Sequence, residues 1–243
     1  MKYYEMHEDV YQSLKSNNFI SWDKEKDLSK LLNYDLNNEL QKYLGDFLDK
    51  GNGKKSLDLG TGTGPVAIYL ATVGFNSTGY DISPTAIDMA KTNAKNIGVN
   101  TTFVCCDIYL EEPSAEYDLI VDSSFLHCIV TEEDRAKVFN FIKKSLKPGG
   151  KFFIHTMVDS ENMSCMTEKS FFLLENEVLW SEGKGHWNMK WEIVNGKKMF
   201  PHRKIRTVEN LEKELLSHGF IIENTALNKT ADSADLYIGV LSK

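Results

Sequence analysis

The chain has 243 residues, a hydrophobic content of 42% and a formal net charge of −7 at pH 7. This length and apolar content fit one large core with appended segments. The acidic balance gives no general attraction to phosphate backbones, so it argues against nucleic acid as a partner. No apolar run approaches the length of a membrane span and none follows Lys2, so we expect neither a membrane segment nor a signal peptide.

The cysteines indicate a reducing environment. None of the four forms a C-x-x-C pair, and the adjacent Cys105 and Cys106 would point to opposite faces of a strand. Free thiols are typical of the cytosol, so we expect a cytoplasmic protein. The composition leaves a monomer and a homodimer both open.

Residues 1–34 are polar and rich in aromatic side chains, which predicts short helices and turns that pack onto another part of the protein. Apolar residues then recur with helical spacing from Leu36 to Leu48, which predicts one amphipathic helix. Glycines within residues 51–53 end that helix. We therefore assign residues 1–53 to an N-terminal helical cap that serves as a lid.

Strand and helix patterns alternate over residues 54–156, which we assign to a Rossmann-like core. The helical patterns include one that begins at a capping box at Thr131 and keeps Leu146 on its inner face, followed by a turn at 147–150. Apolar strands separated by helices indicate a parallel sheet that is doubly wound and covered on both faces. The predicted strands lie at about 56–59, 76–80, 102–106, 118–121 and 151–156, and the other predicted helices at 66–73 and 84–97.

The alternation breaks after the fifth strand, and we assign residues 157–203 to an insert. Residues 204–243 then complete the sheet with a helix at 208–217 and two strands at 220–227 and 236–241. A polar turn joins those strands, which predicts an antiparallel hairpin. The expected fold is α/β, with a doubly wound, seven-stranded, mainly parallel sheet, helices on both faces and a C-terminal antiparallel hairpin.

The most informative stretch is Leu-Asp-Leu-Gly-Thr-Gly-Thr-Gly-Pro at residues 57–65. Glycine allows positive φ and lets a ligand approach the backbone N–H groups at a helix N-terminus. Pro65 takes the third glycine position of a dinucleotide fingerprint, and the Lys-Ser/Thr of a phosphate-binding loop is absent. A glycine-rich turn without a ligand is the alternative interpretation.

What remains is G-x-G-x-G with an acid two residues upstream, and this pattern resembles motif I of the class I S-adenosylmethionine-dependent methyltransferases. The resemblance covers residues 54–156 by motif and 204–243 by pattern. It implies S-adenosylmethionine as cofactor and S-adenosylhomocysteine as product. The motif residues that it assigns to cofactor binding are Asp58, Gly60, Thr61, Gly62 and Gly64.

Acidic residues also end the next two predicted strands. Ligands of an open parallel sheet bind beyond the carboxyl ends of its strands, where we expect Asp81 and Asp107. The resemblance implies that Asp81 binds the ribose hydroxyls of the cofactor. It also implies that Asp107 takes the adenine amino group, with Ile82 and Ile108 on the two faces of the ring. The alternatives are that Asp81 caps a helix, a role that Ser83 already fits, and that Asp107 faces water.

Strand four is followed by Asp-Ser-Ser-Phe-Leu-His-Cys at residues 122–128. Enzymes that methylate nucleobase amino groups carry a D/N-P-P-Y/F tetrad here, whereas this chain has serines in place of both prolines. The stretch looks more like the small-molecule methyltransferases of the class, which implies that Ser123 binds the cofactor and that His127 lies beside the sulfonium. His127 is then the candidate general base. A packed histidine that holds the loop is the alternative.

The aromatic-rich segments 1–34 and 157–203 are expected to cover the carboxyl edge of the sheet and to form an apolar cavity for the methyl acceptor. The first is expected to be a mobile lid that orders over bound ligand, and the second a substrate cover. The alternative is that their aromatic residues only pack the segments onto the sheet. The residues concerned are Tyr3, Tyr4, Tyr11, Trp180, Trp187 and Trp191.

Together these patterns predict an S-adenosylmethionine-dependent methyltransferase that acts on a small molecule by in-line displacement. Two other classes stay open: a nucleic-acid or protein methyltransferase, which a basic face would favour, and a non-catalytic regulator that binds the cofactor. No metal site is predicted. A magnesium site built from Asp122, Asp159 and Glu161 would lack the adjacent Asp-Asn pair of the catechol methyltransferases.

Overall fold

The computed structural model describes residues 7–112, 116–159, 171–182, 191–229 and 234–243. The strands in these ranges are β1 (Lys55–Leu59), β2 (Asn76–Asp81), β3 (Thr102–Cys105), β4 (Tyr117–Ser123), β5 (Leu146–Asp159), β6 (Phe172–Glu175), β7 (Val178–Glu182), β8 (Glu192–Val194), β9 (Lys197–Lys204), β10 (Arg206–Thr207), β11 (Ile221–Asn228) and β12 (Asp235–Ser242). The helices are α1 (His7–Ser16), α2 (Ser29–Leu32), α3 (Asp35–Leu48), α4 (Pro65–Thr72), α5 (Pro84–Ile97), α6 (Glu132–Ser145) and α7 (Val208–Ser217), and a 3₁₀ turn spans Leu126–Cys128. None of the helices in these ranges has the length and apolar character needed to cross a membrane.

The central sheet follows the order β11-β12-β5-β4-β1-β2-β3, with the short β10 beside β5. Neighbouring strands from β1 to β5 run parallel, whereas β12 runs antiparallel to both β5 and β11. The predicted doubly wound sheet with seven main strands and a C-terminal antiparallel pair is therefore confirmed. The chain order reverses between β1 and β4, and in such sheets ligands bind at this switch point.

The hydrophobic core lies on both faces of this sheet. In β4, Ile120 packs with residues of α6 and α7, whereas its neighbours Leu119 and Val121 pack with residues of α3 and α4. All three are fully buried, because successive side chains of a strand point to opposite faces and helices cover both. Each buried side chain of this size stabilises the fold by about 1.5–3 kcal/mol.

The junction between α6 and β5 differs from its prediction. Thr131 caps α6 as expected, since its hydroxyl accepts a hydrogen bond from the backbone N–H three residues later. Leu146, however, begins β5 instead of continuing the helix, and it pairs with β4. Residues 147–150 form an irregularity inside that strand, where Gly149 has φ of 74°. The predicted turn is thus a bulge, because pairing with β4 extends the strand on both sides of it.

The insert contains a second sheet that the sequence patterns did not predict. Strands β6 to β9 pair antiparallel in the order β6-β7-β9-β8. Positive φ values mark its tight turns, at Asn176 and Glu177 in one and at Asn195 and Gly196 in the other. Asn-Gly between two strand-forming runs is the strongest short-range signal of a hairpin, so the second turn was visible in the sequence.

Helix α1 packs across the N-terminus of α5. Its buried Tyr11 and Leu14 cluster with Ala86 and Met89, and the carboxylate of Glu8 accepts hydrogen bonds from groups at the start of α5. A negative charge at a helix N-terminus stabilises it by about 0.3–1 kcal/mol. The described part of the N-terminal cap is therefore docked on the core, next to the loop that follows β1.

Candidate functional site

A cavity of about 560 Å³ opens at the carboxyl edge of the central sheet. Its walls come from the loop after β1, the ends of β2 to β5, and residues of α1, α3, β9 and β12. Asp58 and Gly64 do not line it, and both support its wall from behind. The predicted site residues that do line it are Gly60, Thr61, Gly62, Asp81, Ile82, Asp107, Ile108, Ser123 and His127.

Asp58 ties three segments together beneath the glycine loop. Its carboxylate accepts hydrogen bonds from Thr61 Oγ1 at 2.6 Å, from the backbone N–H of Ala67 at 3.2 Å, and from the Ser123 hydroxyl. Burial raises the pKa of Asp58 to about 7, and these hydrogen bonds oppose the rise. The acid of the motif therefore fixes the loop, α4 and the end of β4 relative to one another.

The three loop glycines all have positive φ, but they meet different neighbours. A Cβ on Gly64 would lie 2.9 Å from the phenylalanine ring of β3, so this glycine permits close packing inside the core. A Cβ on Gly62 would lie 2.6 Å from the Tyr11 hydroxyl, and one on Gly60 would lie 2.6 Å from Phe125 Cβ. At Gly60 and Gly62 the cavity wall thus has room for the backbone but not for a side chain.

Asp81 links the glycine loop to the start of α5. Its carboxylate accepts the backbone N–H of Gly62 at 2.8 Å on one oxygen and that of Ser83 at 2.9 Å on the other. Burial raises the pKa of Asp81 to about 6, and these hydrogen bonds oppose the rise. The cap of α5 is Ser83, whose hydroxyl accepts the N–H of Ala86, so Asp81 does not serve as the helix cap. Its remaining lone pairs are available to hydroxyl groups of a ligand.

Ile82, Asp107 and Ile108 extend from the ends of two paired strands, β2 and β3. Ile108 is buried and Ile82 is half-buried, and all three residues line the cavity. One oxygen of Asp107 accepts the backbone N–H of Tyr109 at 3.2 Å. Two branched apolar side chains beside a carboxylate suit a flat ring with an amino group, and that role stays a prediction.

The turn after β4 is held in shape by the buried Asp122. One oxygen of its carboxylate accepts the backbone N–H groups of Phe125 and Leu126, each at 2.8 Å. Burial raises the pKa of Asp122 to about 7, and these bonds oppose the rise. Ser124 has φ of 60°, a left-handed value that is uncommon outside glycine. The turn therefore presents His127 from a fixed backbone.

His127 is buried in the cavity wall, and one of its ring nitrogens is already engaged. Nδ1 accepts the backbone N–H of Met157 at 3.2 Å and lies 3.2 Å from the Thr156 hydroxyl. A neutral imidazole that accepts at Nδ1 carries its proton on Nε2. Burial, and next the Arg203 guanidinium, lower the pKa of His127 well below its ordinary value. The geometry thus favours a neutral N–H donor, whereas the predicted general base needs a free lone pair on Nε2.

A buried arginine secures both ends of the 3₁₀ turn. Arg135 Nη1 donates to the carbonyl oxygens of Leu126 at 2.8 Å and Ile129 at 3.2 Å. Its Nε and Nη2 each donate to one carboxylate oxygen of Glu214 in α7, both at 2.6 Å. Arg135 is buried and Glu214 is nearly so, and this ion pair joins α6, α7 and the turn that carries His127.

The cavity residues that were missed from the sequence include His7, His155 and Arg203. His155 lies near the carboxyl end of β5, so the strand-end rule applied to that strand would have found it. Burial lowers the pKa of His155 to about 4. His7 and Arg203 come from the cap and the insert, where no motif marks them, and they meet only in the fold, with Arg203 Nη2 3.1 Å from His7 Nε2.

The aromatic residues expected to cover the site have separate positions. Tyr11 lines the cavity, and so does Trp22, whose ring centroid lies 5.5 Å from that of Tyr11. Trp180 and Trp191 do not line it. Within the described ranges, no three histidine, cysteine or acidic side chains are arranged to hold a metal ion. The predicted residues that lie outside those ranges are Tyr3, Tyr4, Glu161 and Trp187.

Comparison with known families identifies the chain. A family model described as a methyltransferase domain matches residues 50–218, which is more than half of the chain. The chain belongs to this methyltransferase family. This membership confirms the predicted assignment of the chain to the class I S-adenosylmethionine-dependent methyltransferase superfamily.

Curated relatives are similar in sequence to part of this methyltransferase. It is 33% identical over 106 residues to a ubiquinone biosynthesis O-methyltransferase of Coxiella burnetii, a match that covers 43% of this chain and 44% of that protein. It is 34% identical over 101 residues to a ribosomal protein L11 methyltransferase of Thermus thermophilus, covering 41% and 37% of the two proteins. The chain therefore spans less than half the length of the curated relatives it matches.

A solved structure shares the fold of this methyltransferase over nearly its full length. Magnesium protoporphyrin IX methyltransferase (ChlM) from Synechocystis PCC 6803, crystallised with bound SAH, superimposes with a TM-score of 0.68 at 15% identity. The superposition covers 98% of this chain and 97% of that one. The likeness in fold is thus not confined to the central sheet and its helices.

Proposed function

We propose that this methyltransferase transfers the methyl group of S-adenosylmethionine to a small-molecule acceptor. The observation that carries the proposal is one cavity lined both by the motif I loop and by the turn that holds His127. The sulfonium supplies an activated methyl group, so the protein has to place donor and acceptor in line. Such orientation lowers the barrier by about 7–11 kcal/mol.

The residues on the loop side fit the donor. Gly60 and Gly62 let it approach the backbone, and Asp81 accepts its ribose hydroxyls at the end of β2. Ile82 and Ile108 hold the adenine ring, and Asp107 accepts its amino group. The SAH bound to ChlM supports the same cofactor for this chain.

The other side of the cavity fits an acceptor of limited size. Residues of α1 and β9 also line the cavity, so the acceptor must fit in the space that the donor leaves. His127 donates from Nε2 to orient the acceptor atom. The name of the ubiquinone biosynthesis relative supports a small-molecule acceptor. A protein acceptor, which the name of the Thermus thermophilus relative indicates for that protein, would have to reach past both covering segments.

Gly62 gives the sharpest test of the cofactor site. Its φ is 54° and a Cβ would lie 2.6 Å from the Tyr11 hydroxyl, so a valine side chain would displace Tyr11, which also lines the cavity, and disrupt the wall against which the donor is proposed to lie. We expect Gly62→Val to abolish binding of S-adenosylhomocysteine in calorimetry. Gly53 is the matched control, because its φ is 79° but no atom lies within 4 Å of its Cβ position. Gly53→Val carries similar backbone strain and should bind normally; equal affinity in both variants would overturn the site assignment.

Turnover separates the remaining classes. We expect release of S-adenosylhomocysteine from S-adenosylmethionine with a small hydroxyl, amine or thiol compound from a broad panel. Binding without turnover on any small molecule, protein or nucleic acid would instead support a non-catalytic regulator. Turnover on a protein or nucleic acid alone would overturn the small-molecule acceptor.

A further inference from the structure

We infer that the methyl acceptor carries an anionic group, a carboxylate, phosphonate or phosphate, and that Arg203 binds this group. The inference rests on the proposed function, because it concerns the acceptor side of the same cavity. Arg203 is the only lysine or arginine among the described lining residues. It lies on β9, the strand of the insert that packs against the 3₁₀ turn carrying His127.

The guanidinium of Arg203 has no acidic partner in the described part of the chain. Nη1 donates to the carbonyl oxygen of His202 at 2.9 Å, and Nη2 donates to Nε2 of His7 at 3.1 Å. Two other cations of the same strand do have acidic partners, since Lys197 pairs with a glutamate at 2.9 Å and Lys204 with another at 3.0 Å, whereas Lys198 lies over an aromatic ring. Arg203 therefore keeps N–H donors that no residue in the described ranges engages.

The surroundings of Arg203 place it on the acceptor side. Strand β9, which carries Arg203, packs against the 3₁₀ turn that carries His127, whereas the aspartates assigned to the donor, Asp81 and Asp107, lie at the end of β2 and beyond the end of β3. Burial raises the pKa of the Cys128 thiol, and the Arg203 guanidinium opposes that rise. The charge of Arg203 is thus felt at His127 and Cys128, on the turn that faces the acceptor.

An anion would satisfy this side chain better than a neutral group. The guanidinium is partly buried, so its solvation by water is incomplete. Its planar fork matches the two oxygens of a carboxylate or phosphonate and forms paired, charge-assisted hydrogen bonds. The carboxylate in the methionine part of the cofactor is a second anion that the same guanidinium could bind. S-adenosylhomocysteine contains that carboxylate but no acceptor, so binding experiments distinguish the two sources.

The test uses protein saturated with S-adenosylhomocysteine and titrated by calorimetry with benzoate, phenylphosphonate and the uncharged benzamide. We expect at least one anion to bind about tenfold more tightly than benzamide, as one charge-assisted contact provides. Arg203→Gln should remove this preference and leave the affinity for S-adenosylhomocysteine unchanged. Lys197→Gln is the matched control, because it removes one positive charge from the same strand outside the cavity and should keep the preference.

Each contrary result has a separate meaning. Equal affinity for the anions and benzamide in wild-type protein that binds S-adenosylhomocysteine overturns the inference and leaves the proposed function standing. A tenfold loss of S-adenosylhomocysteine affinity in Arg203→Gln assigns the arginine to the cofactor and also overturns it. Wild-type protein that does not bind S-adenosylhomocysteine overturns the proposed function. If Arg203→Gln melts well below wild type, Arg203→Lys replaces it: lysine lacks the fork, so unchanged anion affinity contradicts the inference.

Discussion

His127 has its Nδ1 committed to the backbone of β5, and this decides what the ring can offer. The N–H of Met157 donates to Nδ1, so moving the ring proton to that nitrogen would set two N–H groups against each other. The neutral ring therefore presents N–H at Nε2. Burial, and next the Arg203 guanidinium, lower the pKa of the ring well below its ordinary value, so the ring stays neutral in mildly acidic solution.

The pH dependence of turnover tests this assignment. At saturating S-adenosylmethionine we expect no loss of kcat from protonation of His127 as the pH falls through about 6.5, the ordinary pKa of a histidine, because the pKa of this ring lies well below that value. His127→Ala should lower kcat about tenfold, as loss of one hydrogen bond predicts, and His127→Asn, which keeps an N–H donor, should lose less. A wild-type kcat that falls tenfold per pH unit below about pH 6.5, with no such fall in His127→Ala, would assign the ring as a base.

The lowered pKa of His127 also makes the stability of the fold depend on pH. The pKa of His127 is lower in the folded chain than in the unfolded chain, so the unfolded state binds the additional proton. The neutral ring therefore stabilises the fold above about pH 6.5, and this contribution is lost as the pH falls toward the lowered value. The pH profile of turnover should accordingly be measured where the protein remains folded.

The packing of α6 against α7 depends on the ion pair of Arg135 and Glu214. The side chains of Arg135 and Glu214 are 3% and 9% exposed. Arg135 also donates hydrogen bonds to the carbonyl oxygens at both ends of the 3₁₀ turn. Removing one member leaves the other charge buried. Arg206 Nε lies 3.0 Å from Glu214, so part of that charge stays compensated.

We expect Arg135→Met to lower the free energy of unfolding by about 3 kcal/mol, the lower end of the usual cost of breaking a buried pair, because Arg206 still compensates part of the Glu214 charge. It should also lower kcat, because the turn that carries His127 loses two hydrogen bonds. Lys137→Met is the matched control on α6, since it removes an exposed pair with Glu133 and should cost less than about 1 kcal/mol. Urea unfolding of both variants measures the difference. Equal losses in the two variants would show that the buried pair has no special role.

The core elements could be predicted because their signals are local. The caps of α5 and α6, Ser83 and Thr131, stand where the sequence places them, and the apolar run in β4 is buried on both faces. Leu146 was placed on the wrong element because pairing with a distant strand, not local pattern, extends β5. Strand β9 of the insert escaped prediction because it carries charged residues at many positions, so no alternation of apolar and polar residues stands out.

The residues of the candidate site likewise divide into those that the sequence predicts and those that only the structure reveals. Asp81, Asp107 and His127 could be predicted to lie near one another because the carboxyl ends of parallel strands meet at one edge. Asp58 could be singled out, but only the structure shows that it supports the loop from behind. Arg203 could not be predicted, because its place in the cavity depends on how the insert folds back over the sheet.

Segments that are far apart in sequence close the cavity around the sheet edge. Residues of α1, β9 and the start of β12 all line it. Tyr11 on α1 lies against Gly62, where the donor is proposed to approach the backbone. Helix α1 is held there by a small apolar cluster and by the hydrogen bonds of Glu8 to the start of α5. Such limited contacts are typical of elements that open at low free energy.

Hydrogen exchange with and without S-adenosylhomocysteine tests whether α1 acts as a lid. If α1 opens to admit the donor and closes over it, its backbone amides should exchange quickly in the free protein and be strongly protected in the complex, because the opening then also requires release of the ligand. The amides of α6, which lies outside the cavity, serve as the internal control and should change little. Glu8→Gln weakens the contacts with α5 and should speed the exchange of α1 in the free protein. Slow exchange of α1 in both states, or fast exchange in both, would remove the lid and leave the insert alone to cover the acceptor.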